Sequence, residues 1–100
     1  MRWIEAIKVR ALDEARSIEE HLTMRFLEKI NLECDEEGLK SASILKESCG
    51  GPTFAVILQW EREVCQPTLS RLGAWLTSNL DAYGITRHDV WIEHREKSFD

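Results

Sequence analysis

Glu93 follows Trp91 by two residues in Trp91-Ile92-Glu93, and Glu5 follows Trp3 by two in Trp3-Ile4-Glu5. In extended chain, residues two apart share a face, so a carboxylate then sits beside an indole. Burial favours the protonated form of such a carboxylate and suits it to general base work, the removal of a proton from an activated phenol or enol. Glu93 and Glu5 are therefore the candidate catalytic residues. Gln59 and Trp91 are candidate ligand contacts, and His94 joins them if a bulge shifts the register of its strand. The bland reading of the same residues is an interface: Glu93 and Arg95 as inter-subunit ion pairs and Trp91 as an anchor.

The remaining reactive side chains point to less. The histidines are His21, His88 and His94, and no two have the spacing that puts metal ligands on one helix face. His88 and His94 share strand parity, but six residues of extended chain span about 20 Å. No metal site within the chain is expected. His21 falls at the boundary of an apolar helical stripe. Cys34, Cys49 and Cys65 make an odd count with no Cys-x-x-Cys, which argues against a disulfide framework and for reduced thiols.

Composition sets the frame. One hundred residues make one domain, 1–100. With 43% hydrophobic and 31% charged residues, the chain has enough apolar material for a core. The net charge of −5 argues against a nucleic-acid partner. The longest apolar run, Phe54 to Leu58, is far short of a membrane span. The start, Met1-Arg2-Trp3-Ile4-Glu5, carries an acid where a signal peptide needs apolar residues. The chain reads as soluble and cytoplasmic, with no membrane partner.

The elements that position these residues follow from hydrophobic period. Trp3 to Leu12 reads as a strand, apolar in both parities: Ile4 and Ala6 on one side, Ile7 and Val9 on the other. Asp13 offers an N-cap and Glu14 a first-turn acid. Ile18, Leu22, Phe26 or Leu27, and Ile30 then recur at helical spacing. Glu33 to Gly38 is an acidic, solvated loop. Ser41 to Ser48 is a second strand, Gly50-Gly51-Pro52 a turn, and Thr53 to Glu61 a third strand with Phe54, Val56, Leu58 and Trp60 on one face. Pro67 suits the first turn of a second helix. Its stripe is Leu69, Leu72, Leu76, Leu80 and Tyr83, and Gly84 is a left-handed C-terminal residue. Trp75 falls off that stripe. Ile85 to Glu96 is the last strand.

The order βαββαβ, with one apolar stripe per helix, predicts an α+β ferredoxin-like fold. Four antiparallel strands lie in the order 4-1-3-2, with two helices on one face. A two- or four-residue hairpin loop sets Leu45 beside Val56 under the helices and sends Ile44 and Ile57 to the open face. An odd loop reverses the second strand. Gln59, Trp91 and Glu93 share the open face by parity, and Glu5 joins them because the first strand lies between the third and fourth. An open face carrying Ile44, Ala55, Ile57 and Trp91 needs cover, and a second copy of the chain is the economical one. Ile57, Trp91 and Arg95 are the expected dimer contacts.

From Trp3 to Arg95 this order resembles the dimeric α+β barrel proteins, and most closely the antibiotic biosynthesis monooxygenase type of domain. The resemblance rests on topology and on Trp3-Ile4-Glu5, Phe54-Ala55-Val56-Ile57-Leu58 and Trp91-Ile92-Glu93. It implies a homodimer in which two sheets pack face to face as a barrel. It also implies a small aromatic or enolic molecule in the cavity, handled by a cofactor-independent monooxygenase-like or isomerase-like enzyme. Haem-degrading members use an Asn, a His and a Trp that have no match here, so no cofactor is expected. The competing expectation is a non-catalytic dimeric module that binds a small ligand or another protein.

Overall fold

Strand β1 (Arg2–Ala11) runs through the middle of the molecule because both of its faces are apolar enough to be covered. It pairs antiparallel with β3 (Thr53–Glu61) on one side and β4 (Gly84–Ile92) on the other; β2 (Leu39–Lys46) pairs antiparallel with β3. The sheet order is β2-β3-β1-β4, the expected 4-1-3-2 read from the other edge. The computed structural model describes residues 1–12, 26, 28–30, 37–63 and 67–99. The expected N-cap at Asp13, the acidic loop through Glu36, His21, Cys34 and Cys65 lie outside them.

Two helices complete an α+β architecture compatible with the ferredoxin-like arrangement. Residues 28–30 are helical, and α1 (Arg71–Leu80) lies between β3 and β4. Both contribute to one core on one face of the sheet. Phe26 and Ile30 join Leu72, Leu76 and Leu80 against Trp3, Ile7, Val9, Phe54, Val56, Leu58 and Trp60. Trp75, off the leucine stripe, meets Phe26 edge-on with ring centroids 5.9 Å apart. It thus packs against the other helical segment.

Helix α1 begins later than Pro67 predicts. Ser70 is the N-cap, its hydroxyl accepting the Gly73 N–H at 2.9 Å, which satisfies one of the amides a helix start leaves bare. Leu69 therefore precedes the helix and is exposed rather than part of the stripe. Gly84 is no left-handed cap either, since among the glycines positive φ occurs at Gly38 and Gly50. It opens β4 opposite Ala11, where a Cβ would stand 2.0 Å from the Arg10 carbonyl oxygen, so the strands meet too closely for a side chain.

Register decides what the open face carries. Ile44 pairs with Val56 and Leu45 with Ala55, the reverse of the expected facing. An odd stretch, Glu47 to Thr53, separates the paired Lys46 and Phe54, and Gly50 turns it with φ +75°. Each residue of β2 is thereby flipped across the sheet. Ile44 packs toward the core, while Ser41, Ser43 and Leu45 face outward. The apolar part of the open face is thus its centre, Ile4, Ala6, Ala55 and Ile57, with Trp91 at one end. Among the described residues, no helix is long and apolar enough to cross a membrane.

Candidate functional site

The open face ends in a groove of about 570 Å³. Arg2, Ile4, Gln59, Trp91, Glu93 and Arg95 line it together with Trp3, Lys40, Trp60, Glu61, Ile92 and Glu96. Strand pairing explains the assembly. Ile4 lies between Gln59 on β3 and Trp91 on β4, so these three side chains share one row of the open face. The chain leaves β4 after Ile92, and residues 93–99 continue without regular structure. Arg2 holds this segment. Its Nε lies 3.2 Å from Glu93 Oε2, its terminal nitrogen 3.3 Å from Glu96 Oε2, and its carbonyl accepts the Glu93 N–H at 3.0 Å.

Four of the residues singled out in the sequence, Gln59, Trp91, Glu93 and Arg95, thus line the groove. Trp91 is 61% exposed in the single chain. Ile57 lies one row further along the open face, opposite Ala6. His94 is exposed and outside the groove lining. The strand expected to carry it ends at Ile92, and the β1–β4 register runs without a shift that would turn it inward.

Glu5 does not join this set. It pairs with Leu58 and Val90, residues of the helix-facing row, and shares parity with Trp3, Ile7 and Val9. Its side chain is fully buried, on the opposite side of the sheet from Glu93. There Glu5 Oε2 lies 2.6 Å from His88 Nε2 and accepts the Ser70 N–H at 3.1 Å. The N-terminus of α1 thus points an amide and its positive dipole end at the carboxylate. Gly73 makes this approach possible: a Cβ there would lie 2.2 Å from Glu5 Oε2 and 2.6 Å from His88 Cε1 and Nε2.

His88, Ser70 and Gly73 are the residues the sequence reading missed. The signal was present in parity: His88 alternates with Val90 and Ile92, and Glu5 with Ile7 and Val9, so each is a polar residue set in an apolar row. Among the described residues, two buried polar side-chain atoms lack a hydrogen-bond partner, Glu5 Oε1 and Trp60 Nε1. Trp60 stacks on Trp3 at 6.3 Å, and the Arg62 guanidinium lies 5.9 Å from the Trp3 ring centroid. Among the described residues, no group of three or more His, Cys, Asp or Glu comes together as a metal site.

The geometry defines a small α+β protein with an open sheet face, a groove at one end of it, and a buried Glu–His pair beneath a helix start. No protein-family model, no curated protein and no solved structure matches this chain.

Proposed function

We propose that the protein is a homodimer that pairs through its open sheet faces, as in the dimeric α+β barrels it resembles, and binds a small aromatic or enolic molecule in the groove. One observation carries this reading: Gln59 of β3 lines a single groove with Trp91, Glu93 and Arg95, which lie at and just beyond the end of β4. The Trp91 indole offers a flat ring a stacking surface, and the Gln59 amide offers a donor and an acceptor. Glu93 is ion-paired with Arg2 and helps to shape the groove wall. The groove therefore favours binding, as a ligand-binding module of the dimer.

A second copy is the occupant that fits the open face. Its centre is apolar, at Ile4, Ala6, Ala55 and Ile57, while Arg2, Lys8, Arg10 and Arg87 lie on the same face as Glu61, Asp89 and Glu93. A two-fold axis lets each sign meet the other. The enzyme reading, a cofactor-independent isomerase-like or monooxygenase-like activity, draws its support from the Glu5–His88 pair instead.

Native mass spectrometry over a range of concentrations tests the assembly. The expected species is a dimer that Ile57→Lys converts to a monomer; a wild-type monomer at micromolar concentration overturns the barrel. Titration with 1-naphthol tests the groove. Quenching of tryptophan fluorescence that is lost in Trp91→Phe supports it, and equal quenching in both proteins overturns it.

A further inference from the structure

We propose that His88 is a general base, positioned by Glu5, in a proton-transfer site on the helix side of the sheet. This goes beyond the groove, which lies at the end of the open face, and does not depend on it. The substrate class is a small neutral carbon or oxygen acid.

The argument starts from which ring nitrogen is free. His88 Nε2 lies 2.6 Å from Glu5 Oε2. With Glu5 as the accepting carboxylate, this nitrogen carries the hydrogen and the lone pair of the neutral ring falls on Nδ1. Among the described residues, Nδ1 has no hydrogen-bond partner, and solvent reaches the ring through the 8% of the side chain that is exposed. Among the described residues, β4 is an edge strand of the sheet, beside β1.

The rest of the site holds the ring still. Glu5 is fully buried and is itself held by the Ser70 N–H. The first turn of α1 passes so close that only glycine fits at position 73. The ring thus presents Nδ1 in one orientation, which is what a base needs before its substrate arrives. Glu5 Oε1 has no partner in this apolar layer. When Nδ1 takes a proton, the imidazolium forms against a carboxylate that still has charge to balance, as in other carboxylate–histidine pairs. The same-face strand neighbours Ile7, Val56 and Val90 are apolar, which suits a neutral probe.

The probe is 5-nitrobenzisoxazole, a neutral planar molecule that reports general bases. His88 Nδ1 would take the proton from its ring carbon as the C–H electron pair forms the nitrile. The N–O bond breaks with its pair moving to oxygen, giving the coloured nitrophenolate. No oxidant or second reactant enters, and the imidazolium returns its proton to water. Wild-type protein is expected to exceed free imidazole at equal concentration, with His88→Gln losing roughly 10²-fold or more. Glu5→Gln should lower kcat with little change in KM, because Glu5 acts through His88. Turnover by the wild type no faster than free imidazole overturns the proposal. Because either variant can disturb folding, long-range ¹H–¹⁵N spectra of the unmodified protein give a second reading. A neutral His88 with hydrogen on Nε2 and a bare Nδ1 supports the proposal, and hydrogen on Nδ1 overturns it.

Discussion

Glu5 Oε2 and His88 Nε2 meet at 2.6 Å along a diagonal of the sheet: Glu5 is paired across the ladder with Val90, and His88 with Ile7. The contact brings two ionisable side chains against a core whose described members are aromatic and aliphatic. Taking such groups out of water is costly, and their mutual interaction offsets that cost only while both are present.

This asymmetry gives the first prediction. Among the described residues, His88→Leu leaves the buried Glu5 with the Ser70 amide alone, and a loss of about 3–5 kcal/mol is expected. The double variant Glu5→Leu, His88→Leu removes both polar groups and should recover most of that loss. Urea denaturation of the wild type, both single variants and the double variant measures the coupling. A double variant no more stable than the worse single variant would refute the pairing.

Gly73 gives the second. A methyl group there collides with Glu5 Oε2 and with the His88 ring, and overpacking of this kind costs roughly 1–3 kcal/mol. Elsewhere in a helix, glycine to alanine is stabilising by about 1 kcal/mol, so the sign separates the two effects. Gly73→Ala should lower the melting temperature, and a raised one would mean that α1 does not press on the pair.

Much of this was legible in the residues. The third strand's alternation identifies Phe54, Val56, Leu58 and Trp60 as the helix-facing row, and all four are buried. The leucine steps of α1 identify Leu72, Leu76 and Leu80 in the same way. What escaped depended on a count or on a neighbour. The facing of β2 turns on whether its hairpin loop is odd, which composition around Gly50-Gly51-Pro52 does not determine. The place of the first strand between the third and fourth suggests Glu5 for the open face, whereas its parity with Ile7 and Val9 puts it in the helix-facing row. A carboxylate in an apolar row is stable only with a partner, and that partner lies 83 residues away in sequence.

The reversed register is itself testable. Ile44 packs against the core, whereas Leu45 is 53% exposed on the open face. Ile44→Lys should therefore destabilise the fold clearly. Leu45→Lys should leave the isolated chain within about 0.5 kcal/mol of wild type, as is usual for surface substitutions. Thermal melts at low protein concentration distinguish the two. The opposite ranking would restore the even-loop register, with Leu45 beneath the helices.

Arg2 supplies the last prediction, because it makes two kinds of bond to the segment after β4. Its side chain pairs with Glu93 and Glu96, all three partly exposed, so these ion pairs contribute at most about 1 kcal/mol and weaken with salt. Its backbone carbonyl accepts the Glu93 N–H at 3.0 Å, a bond that needs no side chain. Arg2→Ala should therefore change global stability little and leave the Glu93 amide protected from hydrogen exchange. Exchange at Glu96 and Lys97 should rise, and high salt should reproduce that rise in the wild type. Because Glu93, Arg95 and Glu96 form one wall of the groove, the same variant should weaken 1-naphthol binding without unfolding the chain. If exchange beyond Glu93 is the same in both proteins at low salt, Arg2 does not hold this wall, and the shape of the groove has another origin.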